Sequence, residues 1–143
     1  MLGTLAKWLR ILGYDTLYFK FAEDDFLKSL SEKEERILLT KDRELFEKCL
    51  NSYLVNSKEV KGQLIEVVNR FCLKKQESRC SVCNGELIKV SKESVKDTVP
   101  PYVFKTNEIF FKCASCGKVY WQGTHIDRIN NFIEKVFLDR DCE

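Results

Sequence analysis

Four cysteines stand in two matched pairs, Cys80-Ser81-Val82-Cys83 and Cys113-Ala114-Ser115-Cys116, each with a glycine close behind it, Gly85 and Gly117. No other feature constrains the fold of this chain as much. A C-x-x-C turn presents two sulfurs to one ion, and Zn²⁺ takes four thiolates in a tetrahedron. Residues 84–112, between the pairs, leave room for a hairpin and a loop. The spacing predicts a zinc ribbon, a small β unit held by a structural Zn²⁺ on Cys80, Cys83, Cys113 and Cys116. The trailing glycines supply the positive φ that such knuckle turns often require. Two disulfides or four free thiols are the alternatives. No sequence feature marks secretion, and disulfides are disfavoured in a reducing compartment. The pattern speaks for metal more than for function, because ribbons serve nucleic-acid binding, protein docking and plain stability alike.

A ribbon of about 45 residues is too small to fold on its apolar core alone, so metal binding must supply part of its stability. The full chain of 143 residues has room for a second small domain before it. The net charge of +2, with acids and bases interspersed, excludes a strongly basic nucleic-acid footprint and leaves room for a local patch. No apolar run reaches the roughly 18 residues needed to span a membrane. The first residues lack the layout of a signal peptide. The expectation is a cytoplasmic protein with no membrane partner.

Apolar residues at Leu2, Leu5, Leu9 and Leu12 have helical spacing, and Gly13 is a helix stop. Thr16–Phe21 alternates and predicts a strand. Glu23–Lys33 predicts a helix with Phe26, Leu27 and Leu30 inward and acids in its first turn. Arg36–Thr40 predicts a buried strand, Asp42–Leu50 a helix, Ser52–Val55 a strand and Glu59–Leu73 an amphipathic helix. Strands alternating with helices imply an α/β unit with a mostly parallel sheet over residues 1–75. The polar run 74–79 reads as a linker. The ribbon follows in residues 76–143, with strands at Glu86–Val90, Ile109–Lys112 and Lys118–Gln122, a helical turn in Ser91–Asp97 and a loop at Val99–Pro101. A C-terminal helix over His125–Leu138 completes the chain and packs on one of the two domains.

Ligands gather at the carboxyl ends of parallel strands. Asp42 lies just past one predicted strand, and Glu23, Asp24 and Asp25 follow another. Carboxylates converging there would bind Mg²⁺ or Mn²⁺, hard cations that prefer oxygen, and such ions can activate water for phosphodiester hydrolysis. The plainer reading makes Asp42 a helix N-cap, and Asp24 and Asp25 first-turn partners of a helix dipole.

Several stretches in order bear on that choice: Met1–Asp15, Arg36–Leu45, Arg79–Gly85, Val99–Pro101 and Cys113–His125. Together they resemble the Mut-seven C-terminal RNase family, over roughly residues 1–135. The resemblance implies a PIN-like nuclease domain followed by a zinc ribbon, acting on RNA through Mg²⁺ or Mn²⁺ held by strand-end carboxylates. The carry-over falls on Asp42, within Leu-Thr-Lys-Asp-Arg, and less firmly on Asp24 and Asp25. The family pattern also places a strand ending in aspartate just before the Met-Leu-Gly segment. This sequence begins at Met1, so that first strand and its carboxylate are missing from it. With Met1 as the true start, the expectation is an impaired activity or a non-catalytic RNA- or ribosome-binding module; an in-frame strand upstream would restore the enzyme. Ribosome and tRNA are the candidate partners beyond RNA itself.

Lys7, Arg10, Lys41 and Arg43 lie near the ends that would frame the acidic site and are candidates to steer a phosphate backbone, with ordinary solvated residues as the alternative. His125, the one histidine, is a candidate substrate contact or a surface residue at a helix start. Tyr102, Phe110, Phe111, Tyr120 and Trp121 either stack unpaired bases, with Lys112, Lys118 and Arg128 near phosphates, or form the ribbon's own small core. Cys49 and Cys72 read as small core residues and Cys142 as a free thiol in a polar tail.

Overall fold

Leu5 and Leu9 of helix α1 (Gly3–Ile11) and Leu12, the residue that caps its end, recur on one face, and all three are buried. The helix stops because Gly13 turns to φ +98°, its N–H meeting the Arg10 carbonyl while Tyr14 N–H reaches Leu9. This left-handed exit satisfies two orphan carbonyls. A side chain at position 13 would also strike the Glu77 carbonyl at 2.6 Å, so the glycine lets a later strap of chain pass close by. A computed structural model describes residues 2–122 and 126–139.

The next elements are α2 (Asp24–Glu34), β1 (Leu38–Thr40), α3 (Arg43–Lys48), β2 (Ser52–Leu54) and α4 (Val60–Phe71). β1 and β2 pair in parallel, with Leu38 opposite Ser52 and Thr40 opposite Leu54. The second half contains β3 (Leu87–Val90), a 3₁₀ turn at Lys92–Val95, α5 (Pro101–Thr106), β4 (Phe110–Cys113) and β5 (Val119–Trp121). These strands form an antiparallel sheet in the order β3-β4-β5. Helix α6 (Ile126–Leu138) follows. The architecture is α/β, with a small parallel sheet, a small antiparallel ribbon sheet and a C-terminal helix, as expected.

Two cores hold the chain. The first joins Leu5 and Leu9 of α1 and Leu12 at its end, Val55 just after β2, Leu64, Val67 and Val68 of α4, and Ile133 and Val136 of α6. Trp8 stacks on Phe132 with ring centroids 4.3 Å apart, so the first and last helices share one interior. The second core is the ribbon's own: Val95, Val99, Val103, Phe110 and Val119, flanked by Val90, Phe104 and Trp121. Truncating a fully buried leucine such as Leu64 to alanine would cost about 2–5 kcal/mol.

Three local expectations are corrected. Thr16–Phe21 is not a strand. The Arg10 guanidinium takes the Thr16 carbonyl at 2.8 Å and the Asn84 side chain takes the Thr16 N–H at 2.9 Å, groups a ladder would need. The segment instead helps to wall a cavity of about 700 Å³, shared with α1, α2 and β1. Among the described residues, β1 pairs only with β2, and its other side faces this cavity. The expected Val99–Pro101 loop ends one residue early, because Pro101 is already the first residue of α5, where its missing N–H costs nothing. Cys72 is exposed, and it takes the left-handed position that ends α4.

Residues 74–79 do not hang free. Gln76 N–H bonds the Leu12 carbonyl and Arg79 N–H the Arg10 carbonyl, each at 2.8 Å, and Tyr14 bonds Lys74 through its hydroxyl. The polar run is a strap along the end of α1.

Candidate functional site

The two knuckles bring their four sulfurs within 4.8 Å of one another. Cys80 and Cys116 are 3.7 Å apart, and Cys83 and Cys113 are 3.4 Å apart. A tetrahedron with Zn–S bonds near 2.3 Å has S–S edges of about 3.8 Å. The cysteine set therefore fits a tetrahedral ion. Cys80 and Cys113 are buried while Cys83 and Cys116 stand at the surface.

Each knuckle is held by backbone bonds. Cys80 N–H donates to Gly85 O at 2.8 Å and Asn84 N–H returns to Cys80 O at 2.8 Å. In the second knuckle, Ser115 N–H and Cys116 N–H both point at Cys113 Sγ at 3.4 Å, and Gly117 N–H bonds Cys113 O. The residue after each pair's second cysteine is left-handed: Asn84 at φ +72° and Gly117 at φ +80°. Gly85 therefore is not the residue that supplies the positive φ. It is a glycine because a Cβ there would lie 2.6 Å from Cys113 Sγ.

The sulfurs compete for protons. Burial opposes the Cys113 thiolate, but donors from Cys116 and Ser115 outweigh it and hold the pKa down to about 6. Cys83, hydrogen-bonded to Cys113, is pushed up to about 12. A divalent cation relieves that competition by taking all four as thiolates. Tyr120 Oη lies 3.0 Å from Cys80 Sγ, an outer contact that orients the sulfur.

The first knuckle is also tied to the N-terminal half. Arg10, only 7% exposed, sends its Nη1 to the Ser81 carbonyl at 2.9 Å and the Val82 carbonyl at 3.3 Å. Asn84 Nδ2 donates to Asp15 Oδ1 at 2.6 Å, and Asp15 Oδ2 accepts from Arg36 at 3.1 Å. The Arg36 hydrogen bond, then that of Asn84, holds the Asp15 carboxyl below its ordinary value, and the same bridge raises Arg36. Sequence reasoning did not find Asp15, Arg36 and Asn84 as a set. Its one signal was an asparagine where the second knuckle has a glycine.

The predicted acids are placed apart. Asp42 is exposed at the end of β1 and caps α3, accepting Glu44 N–H at 2.9 Å, while its own N–H bonds Thr40 Oγ1. Asp24 and Asp25 sit in the first turn of α2. Among the described residues, the four cysteines are the one group of three or more metal-type side chains brought together. The three aspartates do not meet as a ready cation site. Lys41 donates to the Ser57 carbonyl at 3.1 Å, and Arg43 is exposed beside Asp42. Arg10, expected among the phosphate-steering residues, has its guanidinium turned to the carbonyls above. His125 lies outside the described residues, as does Cys142.

At the end of β2, Glu66 gathers Tyr53 Oη and the N–H groups of Asn56 and Ser57 within 2.7–3.0 Å. Burial would raise this carboxyl, but those donors prevail and lower it. It fixes the loop to α4. No helix among the described residues is long and apolar enough to cross a membrane.

A search of the curated proteins and a search of the solved structures each found no match. The model of the Mut7-C RNAse domain matches residues 1–133, nearly the whole chain and both cysteine pairs with it, and the chain belongs to that family.

Proposed function

We propose that this protein is a ribonuclease that hydrolyses RNA phosphodiester bonds, with the cysteine cluster as a structural Zn²⁺ site. Membership of the Mut7-C RNAse domain family carries the reading. The four cysteines fill a tetrahedral shell and leave no open position for a reacting group, so the zinc would build the ribbon rather than do chemistry. Asp42 is the best candidate for a reacting carboxylate, standing exposed at the carboxyl end of a parallel strand with Arg43 beside it to meet a phosphate. The Mg²⁺ or Mn²⁺ implied by the resemblance would need Asp24 or Asp25 to join Asp42. They do not join it in this arrangement, and no step is assigned to such an ion. The PIN-like topology and a cytoplasmic setting belong to the same proposal.

That separation favours a second reading: a non-catalytic module that binds RNA, on a ribosome or a tRNA, with the acids kept as helix caps. One variant separates the two. Asparagine caps helices as well as aspartate does, so Asp42→Asn keeps α3 and removes the charge. Single-stranded RNA is incubated with each protein and Mn²⁺ or Mg²⁺. Cleavage by the wild type and its loss in Asp42→Asn, at unchanged melting temperature, is the expected result. Equal cleavage by both removes Asp42 from the chemistry. RNA binding without cleavage by either makes the binding module correct.

A further inference from the structure

We propose that the face of the three-stranded sheet opposite the ribbon core is a stacking platform for single-stranded RNA, built on Phe111 with Lys89 and Lys118 as phosphate contacts. The inference rests on the reading that this protein acts on RNA and assigns a binding surface to it.

The register decides which side chains share that face. Val90, Phe110 and Trp121 lie in one cross-strand row; Lys89, Phe111 and Tyr120 lie in the next. Side chains alternate between faces along each strand. Val90, Phe110, Val119 and Trp121 point into the ribbon core under the 3₁₀ turn and α5. The opposite face therefore carries Leu87, Lys89, Phe111, Cys113 and Tyr120. Phe111 is half-buried and packs into neither core, and Lys89 is exposed. Ile109, 46% exposed and two residues before Phe111, extends the same side.

The two aromatic rings are not equivalent. Tyr120 is pinned by its hydroxyl at Cys80, and Lys118 Nζ lies 5.1 Å from the centre of its ring. It forms a rigid floor. Among the described residues Phe111 has no such tie, and it offers an apolar ring between two cations.

Charge selects the occupant. None of the strand residues on this face is a carboxylate, and the nearest acid before β4, Glu108, is paired with Lys92 at 3.1 Å. Lys118 bonds Cys113 through its backbone carbonyl, and its Nζ reaches over the Tyr120 ring, so an anionic strand would cross the sheet along the Tyr120–Phe111–Lys89 row, from Lys118 to Lys89. Aromatic rings flanked by cations, without acids, suit unpaired bases on a phosphate backbone. A paired duplex could not present its base faces there.

The test uses the zinc-loaded full chain, a fluorescent single-stranded uridine oligonucleotide and a series of salt concentrations, without added divalent cation. Phe111→Leu keeps apolar bulk and removes the ring; Phe111→Trp restores one. Phe111→Leu should bind roughly fivefold or more weakly with an unchanged salt slope, and Phe111→Trp should recover binding. Lys89→Gln and Lys118→Gln should each flatten the slope of log affinity against log salt by about 0.7, at unchanged zinc content. Wild-type affinity and slope in all these variants would overturn the platform, and would leave the ribonuclease reading intact if the wild type still cleaves RNA. A wild type that neither binds nor cleaves RNA overturns both. Concentration-dependent dimerisation abolished by Phe111→Leu would show a second copy as the occupant and overturn RNA.

Discussion

Asn84 Nδ2 donates to Asp15 Oδ1 at 2.6 Å, joining a metal knuckle to a segment 69 residues earlier in the chain. The same asparagine accepts Thr16 N–H through Oδ1, so one side chain fixes the exit from α1 on both sides of the bond. Asn84→Gly isolates this role, because glycine takes the left-handed φ without strain. The expected outcome is a loss of about 1–2 kcal/mol, read as a shift in denaturant midpoint, with zinc stoichiometry unchanged. Faster amide exchange should be confined to residues 14–16. Loss of zinc from this variant would mean that the side chain serves the metal site itself.

The Asp15–Arg36 bridge sets a pH dependence. Its hydrogen bonds favour the carboxylate, so the folded pKa is below the unfolded one near 3.8. The stability it contributes is present above that unfolded value and is lost as pH falls through the folded pKa. The stability difference between wild type and Asp15→Asn should stay constant from neutral pH down to about 4 and shrink below it. Acid also protonates the thiolates, but in both proteins alike, so the difference isolates the carboxylate. A difference independent of pH down to acid unfolding would remove the bridge from the account.

Tyr120→Phe keeps the ring on the sheet and deletes the hydroxyl beside Cys80. Outer contacts of this kind change metal affinity by about 10- to 100-fold. Competition against a chromophoric chelator should show weaker zinc binding, with one Zn still bound per chain at saturation. Unaltered affinity would make the 3.0 Å contact incidental.

Gly85→Ala forces a methyl group to within 2.6 Å of Cys113 Sγ and 2.9 Å of Ser115 Oγ. One sulfur must move off the tetrahedron. Zinc affinity should fall more than in Tyr120→Phe, and the ribbon should melt at lower temperature. Gly117→Ala tests a different term, since its nearest non-neighbour atom is the Lys112 Cε at 3.8 Å. That variant meets only the strain of a left-handed alanine, about 1 kcal/mol.

The parts of this fold legible in the sequence are those set by local pattern. The apolar spacing of α1, α4 and α6 and the two C-x-x-C turns name their own partners. The ribbon strands also follow from alternation around the second knuckle. What could not be read is what depends on distant groups. Thr16–Phe21 has strand composition, yet Arg10 and Asn84 take the backbone groups of Thr16. Arg10 looked like a surface cation because its helix face can be counted, whereas the knuckle carbonyls that bury it lie 71 and 72 residues away. The alternation in β4 and β5 divided the aromatics into two sets, but only the position of the 3₁₀ turn and α5 shows which set is covered. For the acids, periodicity placed Asp42 at a strand end, where the structure has it, and gave no means of deciding whether Asp24 and Asp25 reach it.

The interior shared by α1 and α6 imposes an order on folding. Leu9 and Val136 belong to one core although the entire ribbon separates them in the chain. During synthesis the apolar faces of α1 and α4 emerge long before the helix that closes over them, and contacts of such large sequence separation form slowly. The cysteine knuckles become available in that interval. Metal capture can therefore clamp the strap and the end of α1 before the last helix arrives, which shortens the search that α6 must complete. With no ion on the knuckles, the chain would wait for α6 with those apolar faces bare.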